Sequence, residues 1–326
     1  MLLILAFFAL VVLYLSTNPY PVLDRSEGEK TFLDMASFTR QSFPFGLNDQ
    51  PALHMSIVIP AYNEQDRLPL MMEETMEYLN TRKKKDPKYT FEVIIVDDGS
   101  RDRTFEVAQK ISEVYTSDVV RVLKLDQNRG KGAAVRFGML SARGKFLLFA
   151  DADGATKFSN IEYLEAQIKR CIANKWVCYS IKSNIITQGG DQAVICGSRA
   201  HLEEAAIAKR SFFRNILMHG FHLVVWLLCV RGIRDTQCGF KLFSRPAARL
   251  LFKNQHVERW AFDVDILYLA KFFELDVHEV PVEWHEVDGS KIIPVFSWLQ
   301  MAKDILLIRL RYGLGAWKIE PAHRLN

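Results

Sequence analysis

Phe149-Ala150-Asp151-Ala152-Asp153-Gly154-Ala155-Thr156-Lys157-Phe158 closes an apolar run, Phe146 to Ala150, with two carboxylates, a glycine and further polar residues. The run has the length and composition of a buried strand, so Asp151 and Asp153 stand at a strand's carboxyl end. Open parallel sheets bind ligands beyond that end of their strands. Two acidic side chains one residue apart also offer the hard oxygen donors that Mg2+ or Mn2+ takes when it carries a diphosphate. A polar turn whose aspartates cap the next helix would look the same locally, so the neighbouring segments have to separate the two.

Upstream, Met55-Ser56-Ile57-Val58-Ile59-Pro60 is a β-branched run ended by proline, and Ala61-Tyr62-Asn63-Glu64 leads into a helical pattern through Leu68, Met71, Met72, Met76 and Leu79. Phe91 to Val96 is a second strand running into Asp97-Asp98-Gly99-Ser100, with a helix from Thr104. Val119 to Leu125 is a third, followed by Asn128-Arg129-Gly130-Lys131-Gly132 and a helix through Val135, Phe137 and Leu140. Strand and helix thus alternate up to Ala150, which predicts an α/β fold with a mostly parallel, doubly wound sheet. In such a sheet Tyr62 to Glu64, Asp97-Asp98 and Asp151 to Asp153 converge on one rim. Gly130-Lys131-Gly132 is either a phosphate cradle at a helix start or a tight turn; it matches neither the dinucleotide fingerprint nor the P-loop.

Downstream, Val194 to Arg199 predicts a further short strand. Phe221 to Val230 is apolar on nearly every side and too short to span a bilayer. It is core, or it lies in a membrane interface, which Trp226 and the flanking Arg214 and Arg231 suit. The helical stretch 297–312, with Lys303, Arg309 and Arg311, carries the same two alternatives.

Met1 through Leu15 holds no charge, and as a helix reaches roughly 22 Å, so a span of a roughly 30 Å hydrocarbon core needs the residues through Tyr20 as well. No basic leader segment or small-residue cleavage site accompanies it, which favours an uncleaved anchor. Arg25, Lys30 and Arg40 follow and place the main domain in the cytosol. The division expected is a membrane anchor over 1–20, a juxtamembrane linker along the surface over 21–52, and a folded domain over 53–326. A net charge of +4 on 326 residues, without an aromatic-and-basic signature, argues against nucleic acid. Cys171, Cys178, Cys196, Cys229 and Cys238 include no C-x-x-C pair and fit reduced thiols. The histidines at 54, 201, 219, 222 and 256 form no metal spacing and are expected to be structural.

Six strings then carry a resemblance: SIVIPAYNE (56–64), VDDGSRDRT (96–104), DADGATKF (151–158), GSRAH (197–201), RDTQCGFKLF (234–243) and ERWAFDVDIL (258–267). With them, residues 54 to 312 resemble glycosyltransferase family 2 with the GT-A fold, and within it the polyprenyl-phosphate branch. The last three strings, the Gly289-Ser290-Lys291 segment and the amino-terminal anchor are similar to its members that glucosylate dolichyl phosphate. The resemblance implies UDP-glucose as donor and dolichyl phosphate as acceptor, an inverting transfer that supplies glucose for the N-glycan precursor, and residence in the endoplasmic reticulum membrane. A mannose or N-acetylhexosamine donor, or a nucleotide-sugar-binding protein without turnover, are the alternatives.

By the same resemblance Pro60, Tyr62, Glu64 and Asp98 hold the uridine, with Asp98 accepting from the base. Asp151 and Asp153 hold the metal, Asp153 as direct ligand, and Lys131 joins the nucleotide site. Arg199, Arg214 and Lys291 bind the acceptor phosphate or the donor diphosphate, Arg199 beside the reacting groups. Two positions depart from mannose-transferring relatives: Ala155 stands where a glutamine is common, and His285 where an arginine is. Asp263 and Asp265 are either buried acids near the acceptor or helix caps.

Overall fold

The β-branched runs become strands and the amphipathic stretches between them become helices in a computed structural model that describes residues 2–173, 177–180, 185–188, 191–202, 232–287 and 294–321. After α1 (Leu2–Leu15), β1 (Thr31–Asp34) and β2 (Thr39–Ser42), the alternation runs β3 (Leu53–Ala61), α2 (Leu68–Lys85), β4 (Phe91–Asp97), α3 (Thr104–Tyr115), β5 (Val120–Lys124), α4 (Lys131–Leu140) and β6 (Gly144–Ala150). Then come α5 (Ile161–Ala173), the pair β7 (Val177–Ser180) and β8 (Ile185–Gln188), β9 (Ala193–Ser198) and β10 (Phe240–Ser244). The chain continues through α6 (Arg245–Asn254), α7 (Phe262–Phe272), β11 (Asp276–Pro281) and α8 (Pro294–Gly313).

Seven described strands form one sheet in the order β11-β9-β10-β6-β3-β4-β5. β3 is parallel to β4 and β6, β4 to β5, and β11 to β9. β10 runs against both of its neighbours, Phe240 facing Ala150 and Lys241 facing Cys196. The α/β, mostly parallel architecture read from the sequence is therefore the one that forms. Its consequence is geometric: the ends of β3, β4, β6 and β9 and the start of β10 share one rim.

Alternation along the strands divides the core. Val58, Ile94, Val96, Leu147 and Phe149 face α4, α6, α7 and α8, whereas Ile57, Ile59, Val93, Ile95 and Leu148 face α2 and α5. Burying one such side chain fully contributes about 1.5–3 kcal/mol. α4 packs closely on two neighbours: a Cβ on Gly138 would stand 2.4 Å from Val58 Cγ1 of the sheet, and one on Gly132 would stand 2.5 Å from Phe262 Cβ at the start of α7.

The segment 21–52, punctuated by proline and glycine, does more than connect. It forms the β1–β2 hairpin and buries Phe43 and Leu47 in the core. The Arg25 guanidinium lies 3.6 Å from the Phe45 ring centre, and buried Glu29 accepts the Asp126 N–H.

At the amino terminus, the expected continuation of the helix through Tyr20 does not form. α1 ends at Leu15, where the Ser16 and Thr17 hydroxyls turn back to the Leu13 carbonyl at 3.4 and 2.5 Å. Its 14 residues reach about 21 Å. Among the described residues no helix is long and apolar enough to cross a membrane. The 221–230 segment lies outside the described residues. α8 includes the expected 297–312 helix and buries Met301, Ile305 and Ile308 in the core while Leu306 is exposed.

Candidate active site

The loops after β3 and β4 are built as one unit. The Asn63 and Glu64 N–H groups donate to the Ser100 and Thr104 hydroxyls at 3.0 and 2.7 Å, and the Arg101 N–H returns to Asn63 Oδ1 at 2.8 Å. Asn63 takes a left-handed φ of 54°, which asparagine tolerates. Pro60, Tyr62 and Glu64 thus line the rim beside Asp98, as the sequence predicts. Glu64 is held by Arg67 through two bonds, 2.7 and 2.6 Å. Arg67, which the motifs do not flag, also feels the charges of Asp153 and Asp151.

Asp98 is buried, and burial pushes its carboxyl up to about 6. Oδ1 accepts the Arg129 N–H at 2.8 Å; Oδ2 accepts the Gly130 N–H and the Asn128 side-chain amide, both at 2.9 Å. The family resemblance implies that this carboxylate accepts from the nucleotide base; in the structure it shapes the 128–130 turn that opens α4. Gly130 there has a φ of 107°, a conformation open to glycine.

That turn delivers Lys131, whose ammonium meets Asp151 Oδ1 at 2.6 Å. Asp151 is clasped from behind by β10: its N–H donates to the Gly239 carbonyl at 3.0 Å, and a Cβ on Gly239 would fall 1.9 Å from Asp151 Oδ2. Asp153 Oδ1 accepts the Ala155 N–H at 3.0 Å, and burial followed by the charge of Asp151 pushes the Asp153 carboxyl up. Two crowded carboxylates of this kind fit a hard divalent cation, whose charge would relieve both the burial and the mutual repulsion. Ala155 is itself buried, and its carbonyl accepts the His285 N–H at 3.0 Å, so the acidic loop is stitched to the chain beyond β11.

On the far side of β10, Arg199 follows β9. Its Nε and second guanidinium nitrogen bind Asp235 at 2.7 and 2.9 Å, and its N–H donates to the same carboxylate at 2.9 Å. The guanidinium stands 5.4 Å from the Trp284 ring centre and feels the charge of Asp151. Arg214 and Lys291 lie outside the described residues. Asp98, Asp151 and Arg199 therefore follow β4, β6 and β9 on one edge, the convergence expected of them.

Asp263 is buried in the first turn of α7, with Oδ1 2.6 Å from the buried Lys241 ammonium. Asp265 is a buried tie and not a helix cap: Oδ2 accepts the His256 and Val257 N–H groups, which precede the helix, and Oδ1 accepts the Tyr312 hydroxyl at 2.7 Å. Cys171, Cys196 and Cys238 are buried free thiols. Among the described residues, Cys171, Asp276 and His278 bring three potential ligand atoms within 4.8 Å of one another, at the opposite end of the sheet, where β11 begins.

Comparison with known proteins follows the same lines. The family model described as "Glycosyl transferase family 2" matches residues 56–247. A dolichyl-phosphate beta-glucosyltransferase of Homo sapiens is 50% identical over 316 residues, 97% of this chain and 93% of that protein. Its counterpart of the same name in Drosophila melanogaster is 53% identical over 311 residues, 95% and 90% of the two chains. The glucosyl-3-phosphoglycerate synthase of M. tuberculosis aligns with a TM-score of 0.49 and 17% identity over 82% of each chain.

Proposed function

The chain belongs to glycosyltransferase family 2, and from that membership we propose that it transfers glucose from UDP-glucose to dolichyl phosphate. The products are dolichyl β-D-glucosyl phosphate, a glucose donor for the N-glycan precursor, and UDP. The names of the relatives supply sugar and lipid. The observation that carries the chemistry is the single rim on which Asp98, Asp151 and Arg199 follow the ends of β4, β6 and β9.

The rim divides the work. The braced loops at Tyr62 to Glu64 and Asp98 to Thr104 form the nucleoside end. Asp151 and Asp153 would hold a divalent cation, Mg2+ or Mn2+, which as a Lewis acid stabilises charge on the departing diphosphate. Arg199, fixed by Asp235, presents a planar fork suited to phosphate oxygens, with Arg214 and Lys291 as further phosphate contacts. A phosphate monoester carries about −1.5 to −2 charges near neutrality, so the attacking oxygen needs no strong general base. Direct displacement at the anomeric carbon turns an α-linked donor into a β product.

The acceptor is a membrane lipid, and we place the chain at the endoplasmic reticulum membrane with its catalytic domain toward the cytosol. α1, without a charged residue, would enter the bilayer, and Lys303, Arg309 and Arg311 of α8 would meet anionic head groups. The test offers labelled UDP-glucose, UDP-N-acetylglucosamine and GDP-mannose to membranes carrying the chain, with and without EDTA. Label should enter a mild-acid-labile lipid from UDP-glucose alone, and only with free divalent metal. Label from either other donor would replace the sugar assigned here, and none from any would remove the activity.

A further inference from the structure

Four charges alternate behind the acidic motif. Asp151 Oδ1 lies 2.6 Å from the Lys131 ammonium, and Asp263 Oδ1 lies 2.6 Å from that of Lys241, which also donates to the Cys238 carbonyl at 2.6 Å. Lys131 feels both Asp151 and Asp263, and the two ammonium groups stand 5.9 and 5.2 Å from the centre of one ring, Phe149. The row therefore reads Asp151, Lys131, Asp263, Lys241.

The division of partners within that row is specific. Lys241 is 1% exposed and satisfies Asp263, which leaves Lys131 to Asp151. The Lys131 and Asp151 side chains are 19% and 33% exposed, so this pair, unlike the inner one, is open to an arriving ligand. A divalent cation approaching Asp151 meets an ammonium already bonded to one of its oxygens.

We infer that Lys131 is a resident cation of the acidic motif that competes with the divalent ion for Asp151 and yields when the donor's diphosphate offers its ammonium another anion. Metal then binds weakly to the chain alone and firmly with the nucleotide. Lys241 is a positioning residue in this account: by occupying Asp263 it keeps Lys131 on Asp151. The inference rests on Asp151 and Asp153 as the donor's metal site, and not on which sugar is transferred.

The test measures Mn2+ bound to the purified full-length chain by electron paramagnetic resonance, without sugar or acceptor, with and without UDP. K131Q and K131M should each bind Mn2+ alone about tenfold more tightly than the unaltered chain, with a correspondingly smaller gain on adding UDP. K131R should resemble the unaltered chain, and thermal unfolding checks each variant. Equal or weaker Mn2+ binding by folded K131Q and K131M would overturn the inference. A second measurement needs no neutral variant: with lysines 13C-dimethylated, the Lys131 resonance, assigned through K131R, should move on adding Mg2+ with UDP and stay near its place with Mg2+ alone. A resonance unmoved by Mg2+ with UDP would equally overturn it. A chain that meets both expectations but does not glucosylate dolichyl phosphate would retract the proposed activity and leave this inference standing.

Discussion

Arg199 and Asp235 form a two-pronged pair, 2.7 and 2.9 Å, reinforced by the Arg199 N–H on the same carboxylate. Burial works against the charge of Asp235, but the bonds and charge of Arg199 outweigh it and hold the carboxyl below its ordinary range. The pair joins the end of β9 to the turn before β10 and fixes a guanidinium that would otherwise swing freely. Asp235→Asn should lower kcat/KM for dolichyl phosphate about 10- to 100-fold, since small misplacements of a positioning group have costs of that order. Titrating acceptor at saturating donor checks this, and an unchanged value would detach Arg199 from the acceptor.

Gly239→Ala separates folding from catalysis. The new methyl would collide with the tip of the Asp151 side chain, 1.9 Å from Oδ2, and the nearest atoms it meets all belong to that carboxylate. A carboxylate can rotate away at little cost to the fold, so the melting temperature should stay within a few degrees while turnover falls at least about 100-fold. Full turnover in a folded variant would contradict the placement of Asp151.

Glu92 tests the other end of the sheet. It is fully buried, paired with Arg121, and it accepts the Ser56 hydroxyl at 2.6 Å and the Arg143 Nε at 2.8 Å. Burial opposes its charge, yet Arg121 and Arg143 hold the carboxyl below the ordinary 4.5. Its contribution is therefore complete above about pH 4.5 and is lost as pH falls through the lower folded value. Glu92→Gln should cost about 3–5 kcal/mol at pH 7 by stranding Arg121. In urea titrations that deficit should shrink as the pH is brought below 4.5; a constant deficit would place the cost elsewhere.

Removing residues 1–17 tests the membrane role of α1 while sparing the strap behind it. Pro19 O accepts the Lys318 N–H at 2.8 Å and Val22 O accepts from Arg136 at 3.2 Å, so the domain should stay folded. Co-flotation with vesicles containing anionic lipid should fall severalfold, with activity on a short-chain acceptor retained. Undiminished flotation would assign membrane binding to other segments.

Much of this was legible in one dimension, because strands buried on both faces announce themselves as apolar runs. The polar residues directly after Ala61, Val96 and Ala150 then fall on one rim by topology alone. What was hidden depends on pairing across distance. Lys241 sits in a strand-like string, where alternation alone gives no hint that its partner is Asp263, twenty-two residues on. Arg67 lies outside every recognisable string, and only the fold brings it toward Asp153. The segment 21–52 reads as a linker from its prolines and glycines, and its aromatic residues reveal their role only once Phe43 meets the core. Helix length failed locally at α1, where the Ser16 and Thr17 hydroxyls turn back on the last turn and the polar Ser16-Thr17-Asn18-Pro19 stretch does not extend the helix toward Tyr20.

The most direct measurement is the stereochemistry of one turnover. Purified chain with UDP-glucose, dolichyl phosphate and Mg2+ or Mn2+ should yield a lipid-linked glucosyl phosphate whose anomeric proton and phosphorus couplings report the β configuration, and Asp153→Ala should yield none. An α-linked product, free glucose in place of the lipid, or normal β product from Asp153→Ala would contradict a rim on which metal-held UDP leaves as a lipid phosphate attacks from the opposite side.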